Sequence, residues 1–208
     1  MYIPFFICVI GVFALTPLYF LSVEHLRLQE KFGKEKGIKI GELLGIISGW
    51  GFFLFWSGIW VSPQPRFVVP VLQNHSVLTA TASFSVPLLH LAIFAPLFTA
   101  GAWLGIKGVQ RTTLRTAETH RPGKIATKGV YSIVRHPQYL GGLLAHVGVS
   151  FLLSAWYCLL STPLIAAIIY LISWKEEKEL VKEFGKEYED YKNKVPMLMP
   201  RLGRAETS

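Results

Sequence analysis

Residues 138–174 read QYLGGLLAHVGVSFLLSAWYCLLSTPLIAAIIYLISW, 37 positions without one Asp, Glu, Lys or Arg. A helix crossing a bilayer needs roughly 20 consecutive apolar residues, so this run holds two helices joined in a tight hairpin near 155–157. Pro163 suits the first turn of the second helix, where its missing N–H costs nothing, with Ser161 or Thr162 as the cap. Working outward, residues 1–23 carry no charge, and residues 67–106 carry none apart from any protonated histidine. The chain has 208 residues, 51% of them hydrophobic, and a mean hydropathy of +0.41. Soluble domains are seldom so apolar or so segregated. The reading is an all-α, polytopic integral membrane protein. It has about five transmembrane helices, near 2–22, 41–62, 86–106, 138–154 and 158–174, and a cytoplasmic C-terminal amphipathic helix.

The net charge of +8 would suit nucleic acid, but its placement argues otherwise. The connections carry Lys and Arg in the order 5, 1, 7, 0, 8 along the chain. Basic residues collect on the cytoplasmic side of membranes and touch anionic lipid there. The alternation puts the N-terminus outside and the C-terminus inside, and no nucleic-acid partner is expected. Residues 67–106 could hold two helices, but two would separate the five-charge and seven-charge loops. One span preceded by an outside loop or surface helix at 67–85 fits better, and Gln73, Asn74, His75 and Ser76 suit a polar connection. The first stretch lacks a basic n-region and reads as a span rather than a signal peptide. Cys8 and Cys158 form no CxxC; they read as free, buried thiols, and no metal site is expected.

Gly41, Gly45 and Gly49 repeat every four residues, as do Gly101 and Gly105. Small residues at this spacing let helix backbones approach, and packing explains them without a ligand.

Two polar clusters carry chemistry, both on the predicted cytoplasmic side. The first is Gly129-Val-Tyr131-Ser-Ile-Val-Arg135-His136-Pro137-Gln-Tyr139-Leu-Gly141-Gly142. Pro137 starts a helix, so Arg135 and His136 stand at its N-terminus, where the dipole and unpaired N–H groups favour a carboxylate. Gly141 and Gly142 open space for a ligand or for another backbone. The alternative is a membrane anchor in which Arg snorkels, His caps and the glycines pack. The second is Lys175-Glu176-Glu177-Lys178-Glu179-Leu180, leading a polar helix whose apolar stripe is Leu180, Val181, Phe184, Tyr188, Tyr191 and Val195. At about 100° per residue, Glu177 falls inside that stripe and Glu176 at its edge. A carboxylate there needs a cationic partner, either a ligand or Arg135 or another basic loop residue. Glu179 with Lys182 reads as part of a solvated face.

The order and spacing resemble the isoprenylcysteine carboxyl methyltransferase family and the wider group of membrane phospholipid methyltransferases. The first motif is matched by Gly129, Tyr131, Arg135, His136, Pro137, Tyr139 and Gly141. After the hairpin come Glu176, Glu177, Leu180, Phe184, Gly185, Tyr188, Tyr191, Val195 and Pro196. The match covers about 124–201; the first 110 residues carry no recognisable motif.

The resemblance implies transfer of a methyl group from S-adenosylmethionine to a lipophilic small molecule or prenylated peptide at the membrane. It implies a cofactor pocket of Lys128, Tyr131, His136, Tyr139, Gly141, Gly142, Glu176 and Glu177, with Arg135 and His136 catalytic and Arg135, Lys194 and Arg201 facing the acceptor. Residues 1–110 would form the substrate-access region and 111–208 the cofactor-binding catalytic region. The cofactor's carboxylate suits Arg135, His136 and the helix N-terminus, and its ammonium suits Glu176 or Glu177. A carboxylate acceptor needs only a guiding cation. An amine or thiol must lose a proton, for which His90, His136 and His146 are candidates, although a lone intramembrane His is commonly a satisfied structural residue. The alternative within the same resemblance is a phospholipid N-methyltransferase or a thiol methyltransferase; beyond it stand an NADPH-dependent reductase of the sterol type and a non-catalytic membrane scaffold.

Overall fold

The computed structural model describes residues 2–69, 76–78 and 85–201. Among these, nine α-helices and one short hairpin follow in the order α1 (Ile3–Val23), α2 (His25–Phe32), α3 (Lys34–Val61), β1 (Ser76–Leu78), β2 (Ser85–Pro87), α4 (Leu88–Thr112), α5 (Leu114–Thr119), α6 (Pro137–Leu152), α7 (Trp156–Leu160), α8 (Thr162–Phe184) and α9 (Lys186–Lys194). A single 3-10 turn, Gly129–Ser132, precedes α6. The fold is all-α apart from β1 and β2, which pair antiparallel with Val77 opposite Val86. That hairpin occupies part of the predicted outside connection; Gln73, Asn74 and His75 lie outside the described residues.

Helices α1, α3 and α4 are long and apolar enough to cross a membrane, so the protein is a multi-pass membrane protein. Their outward faces carry large apolar side chains, Ile10, Leu54 and Ile106 among them, as lipid contact requires. The other two expected spans are shorter: α6 has 16 residues, and the apolar part of α8 ends at Trp174. The turn between them is pinned by the segment after α3. Phe67 N–H donates to Ser154 O (3.0 Å) and Trp156 N–H to Pro65 O (3.0 Å). Gln64 Oε1 accepts from Cys158 N–H (2.6 Å). Cys8 and Cys158 are both free.

The glycine stripes explain how the helices dock. α4 packs chiefly on α6, and α1 on α3. A Cβ on Gly141 would stand 2.5 Å from Gly101 O, and one on Gly101 would stand 2.5 Å from Gly141 O; no side chain fits at that crossing. On α3, a Cβ on Gly45 would come within 2.9 Å of Thr119 O. The α3 stripe thus seats the loop that ends α5.

The C-terminal region departs from the sequence expectation in two ways. The fifth apolar segment and the acidic cluster form one continuous helix, α8, which breaks only at Gly185 (φ 57°). Glu179 is not on a solvated face but buried. Lys175 Nζ bridges Glu24, between α1 and α2 (2.6 Å), and Glu179 (3.1 Å), and Lys182 closes over Glu179 from the other side (2.9 Å). Docking of the α1–α2 corner against α8 removes that face from water, which a single-helix projection cannot register.

Candidate active site

Pro137 occupies the first turn of α6 and holds Arg135 and His136 in the extended approach to it. Their backbone N–H groups donate to Pro196 O (2.9 Å) and Met197 O (3.1 Å), so the segment after α9 lies along them like a short strand. The apolar stripe predicted for the C-terminal helix fastens that segment: Tyr188, Tyr191 and Val195 are buried against Ile125, Leu180, Val181 and Phe184. Tyr191 Oη donates to Tyr131 O (2.6 Å).

A buried charge cluster results. Arg135 Nε donates to Glu177 Oε1 (2.7 Å) and its Nη2 to Glu177 Oε2 (2.9 Å), a two-point fork that suits guanidinium geometry. Its Nη1 donates to Lys192 O (2.8 Å) and Val195 O, capping α9. His136 lies between the carboxylates, with Nε2 3.1 Å from Glu177 Oε1 and Nδ1 3.4 Å from Glu176 Oε2. Two nitrogens facing two carboxylates call for an imidazolium. Glu176 Oε1 accepts from Tyr139 (2.7 Å) and from Tyr19 of α1, and the Tyr139 ring stacks on His136 at 5.5 Å and 9°.

Burial opposes every charge here, but the partners prevail. Desolvation pulls His136 down, yet the hydrogen bonds and charges of Glu176 and Glu177 hold it above its ordinary value. Desolvation lifts both carboxyls, yet His136, with His120 and Tyr19 for Glu176 and Arg135 for Glu177, holds them below theirs. A histidine raised on folding contributes stability that is complete below its unfolded value, about 6.5, and is lost as pH rises through the folded value. Detergent-solubilised protein is therefore expected to unfold at falling temperature as pH goes from about 6 to 9, and His136→Gln to lack that slope. Equal slopes in both would contradict a charged His136. The carboxylates act oppositely, their contribution disappearing as pH falls through their depressed values.

The two glutamates differ in what they have left to offer. The Glu177 side chain is 1% exposed and engaged by Arg135 and His136, with Lys192 Nζ 3.7 Å away. The Glu176 side chain is 16% exposed, and among the described residues its Oε2 meets only His136. Of the other sequence candidates, Tyr131 is buried and accepts from Gln138 (3.1 Å). Lys128 is exposed at the start of the 3-10 turn. Gly141 faces α4, and a Cβ on Gly142 would meet Trp56 at 3.0 Å, so both serve helix packing. Lys194 and Arg201 are exposed, and no hydrogen bond or ion pair joins them to the cluster. His90 and His146 are fully buried. His90 accepts from Val69 N–H and contacts Phe151 O; His146 accepts from Trp56 and Trp60 and contacts Cys158 O. Each ring uses both nitrogens structurally.

Two residues escaped the sequence reading. Tyr19 sits in an uncharged span with no motif around it. His120 sits in the basic connection, where only its position after the Gly45 docking point marks it. Its Nδ1 is 2.9 Å from Ser22 Oγ, and its ring lies against that of Tyr19, centroids 4.0 Å apart and planes tilted by 33°. Burial pushes it down to about 4, against the pull of Glu176.

Arg135, His136, Glu176 and Glu177, which build this cluster, all fall within residues 90–187, and those residues match the phospholipid methyltransferase family. The match covers a little under half of the chain. Relatives include methanethiol S-methyltransferase 2 of Bradyrhizobium diazoefficiens, 42% identical over 73 residues (35% of this chain, 27% of the relative). The protein-S-isoprenylcysteine O-methyltransferase of Mus musculus is 30% identical over 139 residues (63% and 44%). Isoprenylcysteine O-methyltransferase B of Arabidopsis thaliana is 33% identical over 95 residues (42% and 43%). The chain thus covers less than half the length of each of these relatives. No solved structure matches. The family segment ends within α9, so Tyr19 and the strand-like segment at 195–197 reach the cluster from outside it.

Proposed function

We propose that the protein is an integral membrane methyltransferase that uses S-adenosylmethionine to methylate a lipophilic acceptor. The observation that carries this reading is the coincidence of the family segment with the buried Arg135–His136–Glu176–Glu177 cluster. S-adenosylmethionine, when bound, supplies a methyl group activated on a sulfonium. The donor set fits its methionine end. Glu176 Oε2 has acceptor capacity for an ammonium, and the N-terminal end of α6 favours a carboxylate through its dipole. Glu177 and Arg135 hold His136 and the α9 cap in place beneath that site. His136 as imidazolium keeps Glu176 ionised. Tyr19 and Tyr139 fix the carboxylate's orientation, and the 195–197 segment keeps water from the cluster.

The proposed topology has five spans, with α6 and α8 as the fourth and fifth, the N-terminus outside, and the cluster and C-terminus in the cytoplasm. The support is the charge alternation together with the cytosolic supply of the cofactor. A reporter fused after Ser208 is expected to be cytoplasmic and one inserted within 73–76 external; the same side for both would overturn the topology. Calorimetric titration of the detergent-purified protein with S-adenosylhomocysteine tests the cofactor directly, and absence of binding would refute the reading.

A further inference from the structure

The His120 corner lies beside the cluster without belonging to it. His120 adopts a left-handed backbone (φ 54°), uncommon for a residue with a side chain. The surroundings hold it there. Gly45 gives way to Thr119, His25 Nε2 meets the His120 carbonyl at 2.9 Å, and Tyr19 lies under the ring. Ser22 has one hydroxyl proton and two neighbours for it, Tyr19 O (2.7 Å) and His120 Nδ1 (2.9 Å). With that proton on Tyr19 O, the Ser22–His120 bond takes its proton from Nδ1–H, which leaves Nε2 with a free lone pair. Nε2 faces Gly49 of α3, where a Cβ would stand 3.4 Å from it, and among the described residues no hydrogen bond reaches it. Tyr19 connects this ring to the carboxylate of Glu176.

We propose that His120 Nε2 is the general base for the acceptor and that the acceptor is a lipophilic thiol, a proposal that rests on the methyltransferase reading. The acceptor sulfur's lone pair forms the new C–S bond. The sulfonium C–S bond breaks with its electron pair kept by the departing thioether. The S–H proton passes to Nε2 and from there to water. The positive charge that leaves the sulfonium arrives on His120, with Glu176 facing it across Tyr19. The neutral corner selects among acceptors. A carboxylate brings no proton and would leave Nε2 idle. An ammonium would add a second cation where burial already keeps His120 uncharged. A thiol enters neutral, and its sulfur becomes strongly acidic as the C–S bond forms, so even a weak base takes its proton.

The test compares His120→Asn with wild type, since asparagine tolerates the left-handed backbone and can still donate to Ser22. The probes are a long-chain alkanethiol, protonated at neutral pH, and an aryl thiol that is mostly thiolate there. Expected are unchanged S-adenosylhomocysteine binding, a fall of about a hundredfold with the alkanethiol, and near-normal turnover with the aryl thiolate. Nitrogen-15 NMR of histidine-labelled wild type is expected to show His120 as the Nδ1–H tautomer. Equal losses on both thiols, the Nε2–H tautomer, or methylation of an S-farnesylcysteine carboxylate but of neither thiol would overturn the proposal and leave the methyltransferase reading standing. Failure of wild type to bind S-adenosylhomocysteine would overturn both. If His120→Asn does not fold, Ser22→Ala carries the same comparison, and a selective alkanethiol loss is again required.

Discussion

Glu177→Gln is expected to cost about 3 kcal/mol of stability, the scale for breaking a buried ion pair by removing one partner. In a chain of this length that corresponds to roughly 6–12 °C in unfolding temperature. The reason is what stays behind. Arg135 is buried, and its guanidinium makes the two-point fork with Glu177 while capping α9. His136 loses one of two carboxylates. Both cations then face a neutral amide in a site closed to water. Removing the partners together is gentler: Arg135→Met with Glu177→Leu should unfold nearer to wild type than either single substitution. Thermal unfolding in detergent measures this. A Glu177→Gln protein as stable as wild type that nonetheless loses S-adenosylhomocysteine would show Glu177 to be a ligand group rather than the keystone of the cluster.

Glu176→Gln is expected to separate binding from folding in the opposite sense. Its side chain is more exposed, and its Oε1 interactions with Tyr19 and Tyr139 survive in an amide, which still carries one carbonyl oxygen. What goes is the charge available to a ligand ammonium. A charge-assisted hydrogen bond at a partly desolvated site contributes about 1.5–3 kcal/mol, so S-adenosylhomocysteine should bind about ten- to a hundredfold more weakly. Calorimetry measures it, with Glu187→Gln as the control, since Glu187 is exposed on α9. Glu179 does not serve as that control because Lys175 and Lys182 bury it. Comparable weakening by Glu187→Gln, or unaltered binding by Glu176→Gln, would remove Glu176 from the proposed ligand site.

Much of this architecture was legible in the residue order. Charge-free runs marked the helices because a bilayer interior excludes ionised side chains, a rule that holds for each segment by itself. The Pro137 start of α6 is a local steric effect of the same kind. The stripe from Leu180 to Val195 was visible as helical periodicity. Glu177 stands out because a carboxylate in an apolar stripe demands a cationic partner, and Arg135 is one the sequence offers.

Other features depended on contacts between segments far apart in the chain. Periodicity set Glu177 on a buried line and Glu176 at its edge. Only the approach of α6 to α8 decided that Arg135 would take Glu177, that His136 would reach both carboxylates, and that Glu176 would be the more exposed of the two. Gly141 and Gly142 looked equally suited to a ligand or to a helix, and the crossing with α4 and the presence of Trp56 resolved them as packing positions. Tyr19 and His120 carry no local signal, because a tyrosine in an apolar span and a histidine in a basic loop are ordinary until Gly45 and Gly49 let the loop dock beside α1. By itself the sequence determined the segments and the chemistry they contain, since lipid exclusion, proline geometry and helical period act over a few turns. The pairing of those groups belongs to the tertiary structure, because a buried charge takes whichever partner the packing of distant helices brings within about 3 Å.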